Sequence, residues 1–219
     1  AVSAALAVVE PYSSGIGGGG FWLLHRASDG FETMVDGRET APAAAHRDLY
    51  LDENGEVVPD LSMNGPLSAG IPGEPAALAH IAERYGRLPL RQSLAPAVRL
   101  AREGFEVDAY YRRMAGFRHE VMAGFPDTAR LLLADGEVPE EGVRIVQEDL
   151  AWTLESLARG GFDGFYKGEV ARRLVAGVRT AGGIWTEADL AGYRVVERPP
   201  VRFRYKGMTV TAAAPPSSG

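Results

Sequence analysis

The chain has 219 residues, 46% of them hydrophobic, no cysteine, and a formal net charge of −6. That length and apolar content suffice for a sizeable core in one large domain or a domain and a half. The acidic balance, with no basic cluster interleaved with aromatics, argues against a nucleic-acid surface, and the missing cysteines exclude disulfides, thiolate metal sites and a cysteine nucleophile.

Residues 1–9 are rich in Ala and Val and read as a buried helix end stopped by Pro11. A glycine cluster follows, Gly15-Ile16-Gly17-Gly18-Gly19-Gly20. Four adjacent glycines cannot fill a core and cost much entropy to order, so they point to a sharp turn or a close backbone approach. Residues 21–26 and 31–36 read as two strands joined by a turn at Ser28-Asp29-Gly30. Arg38 therefore falls just beyond a strand end, where binding groups are commonly mounted. Residues 51–72 read as loop. Helices are expected over 75–85, ended by Gly86, and over 94–103, with Pro96 in the first turn and Gly104 after the end. Weaker helical patterns cover 107–122 and 128–133. Firmer ones cover 150–159 and 168–180, each followed by a Gly-Gly pair. Thr186-Glu187-Ala188-Asp189 has the form of a capping start, and residues 193–213 alternate like strands around Pro199-Pro200. No run reaches the ~18 apolar residues of a membrane span.

The chemistry-bearing patterns are few. Gly15-x-Gly17-x-x-Gly20 fits the dinucleotide expression, but that site needs a strand before the glycines and a helix after them. Here a helix precedes and a strand follows, which argues against a nucleotide. His25, His46, His80 and His119 lack metal-ligand spacing and read as surface or locally bonded residues. Ser13-Ser14 and Ser217-Ser218 lie outside any nucleophile elbow and have no evident base. No complete catalytic constellation emerges from the residues, and neither a cofactor nor a metal is indicated. Arg38 remains the best local candidate, as a clamp for a carboxylate, against the alternative of a structural ion pair with a nearby acid.

Several stretches together carry a resemblance. Glu10-Pro11-Tyr12-Ser13-Ser14 with the glycine cluster and Phe21 comes first, then Asp36-Gly37-Arg38-Glu39-Thr40-Ala41-Pro42. Gly70-Ile71-Pro72-Gly73-Glu74-Pro75 and the run from Pro96 to Phe105 follow in order. Gly164-Phe165-Tyr166-Lys167-Gly168, the run from Gly182 to Leu190, and Pro215-Pro216-Ser217-Ser218-Gly219 complete the series. Collinear over nearly the whole chain, they resemble the large subunit of the γ-glutamyltranspeptidases.

The resemblance implies an α/β (α+β) fold, the αββα sandwich of N-terminal-nucleophile hydrolases, of which residues 1–219 would form a single partial domain. It implies a precursor cut into large and small subunits, the small one beginning with the threonine nucleophile. It implies transfer of a γ-glutamyl group from glutathione or a related amide to water, an amino acid or a peptide. By the same resemblance Arg38 binds the α-carboxylate of the γ-glutamyl moiety. The glycine cluster takes no catalytic role and serves to turn the chain near the site. No catalytic residue is expected within this chain, and Thr180, Thr186, Thr209 and Thr211 are not promoted to nucleophile. The chain starts without methionine inside a helical pattern and stops abruptly, so a longer polypeptide is expected. A periplasmic or secreted location is favoured by the resemblance, with a cytoplasmic one as the alternative. A cephalosporin or glutaryl acylase of the same architecture, and a non-catalytic binding or scaffold homologue, are the alternatives.

Overall fold

The structure, a computed structural model, describes residues 1–218; Gly219, the last residue of the Pro-Pro-Ser-Ser-Gly match, lies outside the described residues. The chain divides into two compact units, Ala1–Ile16 with Leu88–Gly160, and Gly17–Arg87 with Gly161–Gly219. Both mix helix with antiparallel strand pairs, as the expected fold class requires.

In the first unit, α1 (Val2–Val9) packs on α3 (Leu90–Glu103) through the buried Ala4, Ala7 and Val8 of one and Leu94, Ala97 and Ala101 of the other. Spacings of three, four and seven residues put each set on one helical face. α3 begins four residues earlier than expected: Pro96 lies inside it, and Pro89 is its N-cap. Proline removes one intrahelical donor, and burial of the apolar face outweighs that loss. β3 (Phe105–Glu106) pairs with β4 (Arg144–Ile145), two strands too short for any alternating pattern to reveal. α4 (Ala109–Ala123) is capped by the Asp108 carboxylate, which accepts from Tyr111 N at 2.7 Å. α5 (Pro126–Leu132) follows, and the Tyr111 hydroxyl donates to Leu132 O at 3.1 Å. α6 (Glu148–Tyr166) carries the chain into the second unit; Gly161 leaves helical geometry (φ 54°, ψ −136°) and the helix then resumes. The Gly160-Gly161 pair, expected to end this helix, breaks it instead.

The second unit is built on the order β1–β2–β5, formed by Gly20–Arg26, Phe31–Gly37 and Val196–Arg198. The register pairs Gly20 with Gly37 and Val35 with both Trp22 and Glu197. Central placement explains why β2 is the buried strand, with Met34 and Val35 inaccessible to solvent. α2 (Glu74–Arg84) packs against β2. α7 (Gly168–Thr180) spans the residues expected, and α8 (Glu187–Gly192) opens on a reciprocal capping box. There Asp189 N donates to Thr186 Oγ1 at 3.1 Å, and Thr186 N donates back to Asp189 Oδ2 at 2.8 Å. Thr186→Ala should cost about 1 kcal/mol, read as a lowered denaturation midpoint at unchanged slope. An unaltered midpoint would mean that the cap is dispensable. Finally β6 (Val201–Tyr205) and β7 (Met208–Ala212) form a hairpin whose two turn residues, Lys206 and Gly207, both have positive φ. That is the geometry matching strand twist in a two-residue hairpin.

Candidate functional site

Arg38 follows β2 directly, as expected, and both of its backbone groups are held. Its N–H donates to Asp36 Oδ1 at 3.1 Å, and its carbonyl accepts from the Tyr193 hydroxyl at 2.8 Å. Asp36 is buried and takes Arg198 Nε on its other oxygen at 2.8 Å, so its carboxylate is fully engaged. Two residues beyond Arg38, Thr40 exchanges both backbone hydrogen bonds with Ile71, at 3.2 and 2.8 Å. Residues 38–40 therefore form a short rail lying against residues 70–73.

The glycines act here through close approach. A Cβ added at Gly19 would sit 2.9 Å from Arg38 Cα and 2.9 Å from Glu39 N, and would overlap the Gly37 carbonyl. One at Gly73 would sit 2.6 Å from the Gly37 carbonyl carbon and overlap both its oxygen and the Tyr193 hydroxyl. Such approach is available only without a side chain. The same cluster also closes the start of α2: Gly18 O accepts from Gly73 N at 2.9 Å and from Glu74 N at 3.0 Å. The donors that an open helix N-terminus would offer an anion are thus partly spent on backbone. The observed order, α1 before the glycines and β1 after them, agrees with the sequence argument against a nucleotide.

The Arg38 side chain is 54% exposed. Its guanidinium lies 5.9 Å from the Phe21 ring centroid, and its Nε is 3.3 Å from Glu39 Oε2. That ion pair is close but poorly aligned, for Glu39 Oε2 is buried and has no hydrogen-bond partner. Nη1 and Nη2 donate no hydrogen bond among the described residues. One edge of the guanidinium thus faces a neighbouring acid, while the Nη edge meets no acceptor among the described residues. Arg38 and Glu39 line a cleft of about 380 Å³ with Leu49, Tyr50, Leu67 and Ser68. The Tyr50 hydroxyl donates to Leu67 O at 3.3 Å and ties its two sides.

Sequence reasoning missed Glu74. It is the first residue of α2, 6% exposed, and its Oε1 has no hydrogen-bond partner. Burial, and then the charge of Glu39, push its carboxyl from 4.5 up to about 7. A helix N-terminus favours a charged carboxylate, so desolvation wins over the dipole. Because the folded value exceeds the unfolded one, the neutral form stabilises the fold fully below about pH 4.5, and that contribution is lost as pH rises through about 7. Glu74→Gln should therefore leave stability at pH 5 nearly unchanged and raise it at pH 8 by about 1–3 kcal/mol. Thermal melts at the two pH values check this; an equal shift at both would rule out ionisation as the cause. The signal available beforehand was an acid flanked by Gly73 and Pro75 at a helix start, a pattern far commoner at exposed termini.

The histidines are locally engaged where contacts exist: His25 with Glu32 at 3.0 Å, His80 with Glu197 at 2.7 Å, and His119 with Gly136 O at 2.7 Å. No group of three His, Asp or Glu that could hold a metal occurs among the described residues, and no helix there is long and apolar enough to cross a membrane.

The family model described as gamma-glutamyltranspeptidase matches residues 1–219. A curated relative named glutathione hydrolase proenzyme, from Pseudomonas sp. (strain A14), is 41% identical over 224 residues, covering 100% of this chain and 38% of the relative. The chain therefore spans well under half the length of that relative. The crystal structure of Helicobacter pylori gamma-glutamyltranspeptidase superposes with a TM-score of 0.95 at 37% identity, covering 99% of this chain and 62% of that one. A cephalosporin acylase from Bacillus halodurans superposes less well, with a TM-score of 0.79 at 29% identity over 95% of this chain and 39% of that one. The fold class is thus that of the N-terminal-nucleophile hydrolases, and the chain belongs to the γ-glutamyltranspeptidase family.

Proposed function

We propose that residues 1–219 are the large-subunit part of an enzyme that transfers a γ-glutamyl group from glutathione or a related amide to water, an amino acid or a peptide. In this reading they belong to one αββα domain completed by a small subunit from the same precursor. The nucleophile is the N-terminal threonine of that subunit, and its α-amino group, with an ordinary pKa near 8, accepts the hydroxyl proton near neutrality. Arg38 binds the α-carboxylate of the γ-glutamyl moiety. One observation carries this assignment: Arg38 Nη1 and Nη2 donate no hydrogen bond among the described residues, while its backbone is gripped at both N–H and carbonyl. A planar guanidinium with a fixed base is the group best matched to a carboxylate.

The acylase alternative is less well supported, because its structural neighbour is more distant in both identity and superposition. The test uses the full-length gene product. Electrophoresis and N-terminal sequencing should find two polypeptides, the smaller beginning with threonine. Hydrolysis of a γ-glutamyl anilide should be detected, and its change on adding glycylglycine divides hydrolase from transferase. A single uncut chain would leave the non-catalytic homologue standing. A processed enzyme that cleaves glutaryl but not γ-glutamyl anilides would move the reading to the acylases.

A further inference from the structure

Arg38 is held by a residue far away in sequence. The Tyr193 hydroxyl donates to the Arg38 carbonyl at 2.8 Å across 155 residues of chain. Tyr193 is the C-cap residue of α8 and is 4% exposed. Its ring lies on that of Tyr166 at 5.5 Å and 16° between planes. Tyr166 is itself fastened, donating to Pro72 O at 2.7 Å and accepting from Ala76 N at 3.2 Å. The phenol of Tyr193 thus has little freedom to turn away. Gly73 makes room for it, since a Cβ there would overlap the hydroxyl.

We propose that Tyr193 is a positioning residue for donor-substrate binding, acting through the Arg38 carbonyl to aim the guanidinium at the substrate carboxylate. The proposal rests on the reading of Arg38 as the carboxylate-binding group. Burial, followed by the charges of Asp36 and Glu39, pushes the Tyr193 hydroxyl up to about 12, so it remains a donor throughout the neutral range. With the carbonyl fixed by Tyr193 and the amide by Asp36, the side chain starts from one backbone orientation. Losing one grip lets that origin shift, and a fork tolerates misplacement poorly because both of its bonds must align together.

The experiment is steady-state kinetics of the full-length mature enzyme on a γ-glutamyl anilide. Tyr193→Phe keeps the stacked ring and removes only the hydroxyl. It should raise KM about 3- to 10-fold while leaving kcat within about twofold, the pattern of lost uniform binding. Tyr85→Phe is the comparison: its hydroxyl donates to Glu197 at 2.8 Å in the same unit, away from Arg38. It should leave KM unchanged. In an Arg38→Lys background the Tyr193→Phe effect should shrink towards nothing, because residues acting through one contact are not additive. A merely structural tyrosine would give additive losses. KM is independent of the amount of enzyme that matures, so a reduced yield does not obscure the result. Unchanged KM in Tyr193→Phe, alongside a raised KM in Arg38→Lys, would overturn the proposal. Unchanged KM in Arg38→Lys would overturn the reading of Arg38 itself.

Discussion

Arg38→Lys in the full-length protein should lower kcat/KM for a γ-glutamyl anilide by about 30- to 900-fold, equivalent to about 2–4 kcal/mol. Charge is conserved in this change, so the loss measures geometry. Lysine presents a compact ammonium on a flexible stem and cannot make two parallel bonds to a carboxylate. It also gives up the delocalised cation whose Cζ stands 5.9 Å from the Phe21 ring centroid. Much of the loss should appear in KM, since a carboxylate remote from the reacting amide is bound in ground and transition states alike. The variant should fold and mature normally, because the Arg38 side chain is half exposed and its nearest partner is Glu39, at 3.3 Å and poorly aligned. An unchanged kcat/KM would make Arg38 a surface ion pair and remove it from the site.

Gly73→Ala should destabilise the protein by about 3 kcal/mol or more, the upper end of the usual cost of overpacking. The added methyl meets the Gly37 carbonyl on a central strand and the hydroxyl of Tyr193, and neither is the loose end of a flexible side chain. Relief requires moving the start of α2 away from β2, which would strain the bonds from Gly73 N and Glu74 N to Gly18 O. The variant's Tm should fall, by less per kcal/mol the larger the protein that melts with it. Gly177→Ala in α7 provides the contrast: its Cβ would meet nothing within 4 Å. At an exposed helical position alanine should be neutral or stabilising by up to about 1 kcal/mol. Equal melting temperatures for the two variants would show that the close approach at Gly73 is easily relieved.

Local chemistry was legible in the sequence, and long-range closure was not. The β1–β2 hairpin follows from alternation around Ser28-Asp29-Gly30, and α7 and the Thr186 capping box follow from their own residues. Arg38 could be placed past a strand end for the same reason. The start of α3 differs from the expected one because Pro96 has the signature of a first turn; the burial that overrides it depends on α1, which lies far away in sequence. β3 and β4 are two residues each and have no period to detect. Around Arg38, Asp36 lies close enough for its motif to be noticed, though nothing local reveals its bond to Arg198. Tyr193 and Glu74 reach the site only through folding, and a tyrosine after a short helix or an acid beside a proline carries no mark of its partner.

The close packing of backbone at Gly19, Gly37 and Gly73 has a consequence for how such a site can change. The place of the proposed carboxylate anchor is set by close main-chain packing together with the grips of Asp36 and Tyr193, whereas the cleft beside it is lined by the side chains of Leu49, Tyr50 and Leu67. These two layers can vary independently. Under the proposed function, replacing cleft side chains would change the surroundings of the bound donor while the anchor stays put. A laboratory search for altered donor preference should accordingly randomise the cleft positions and leave the three glycines alone.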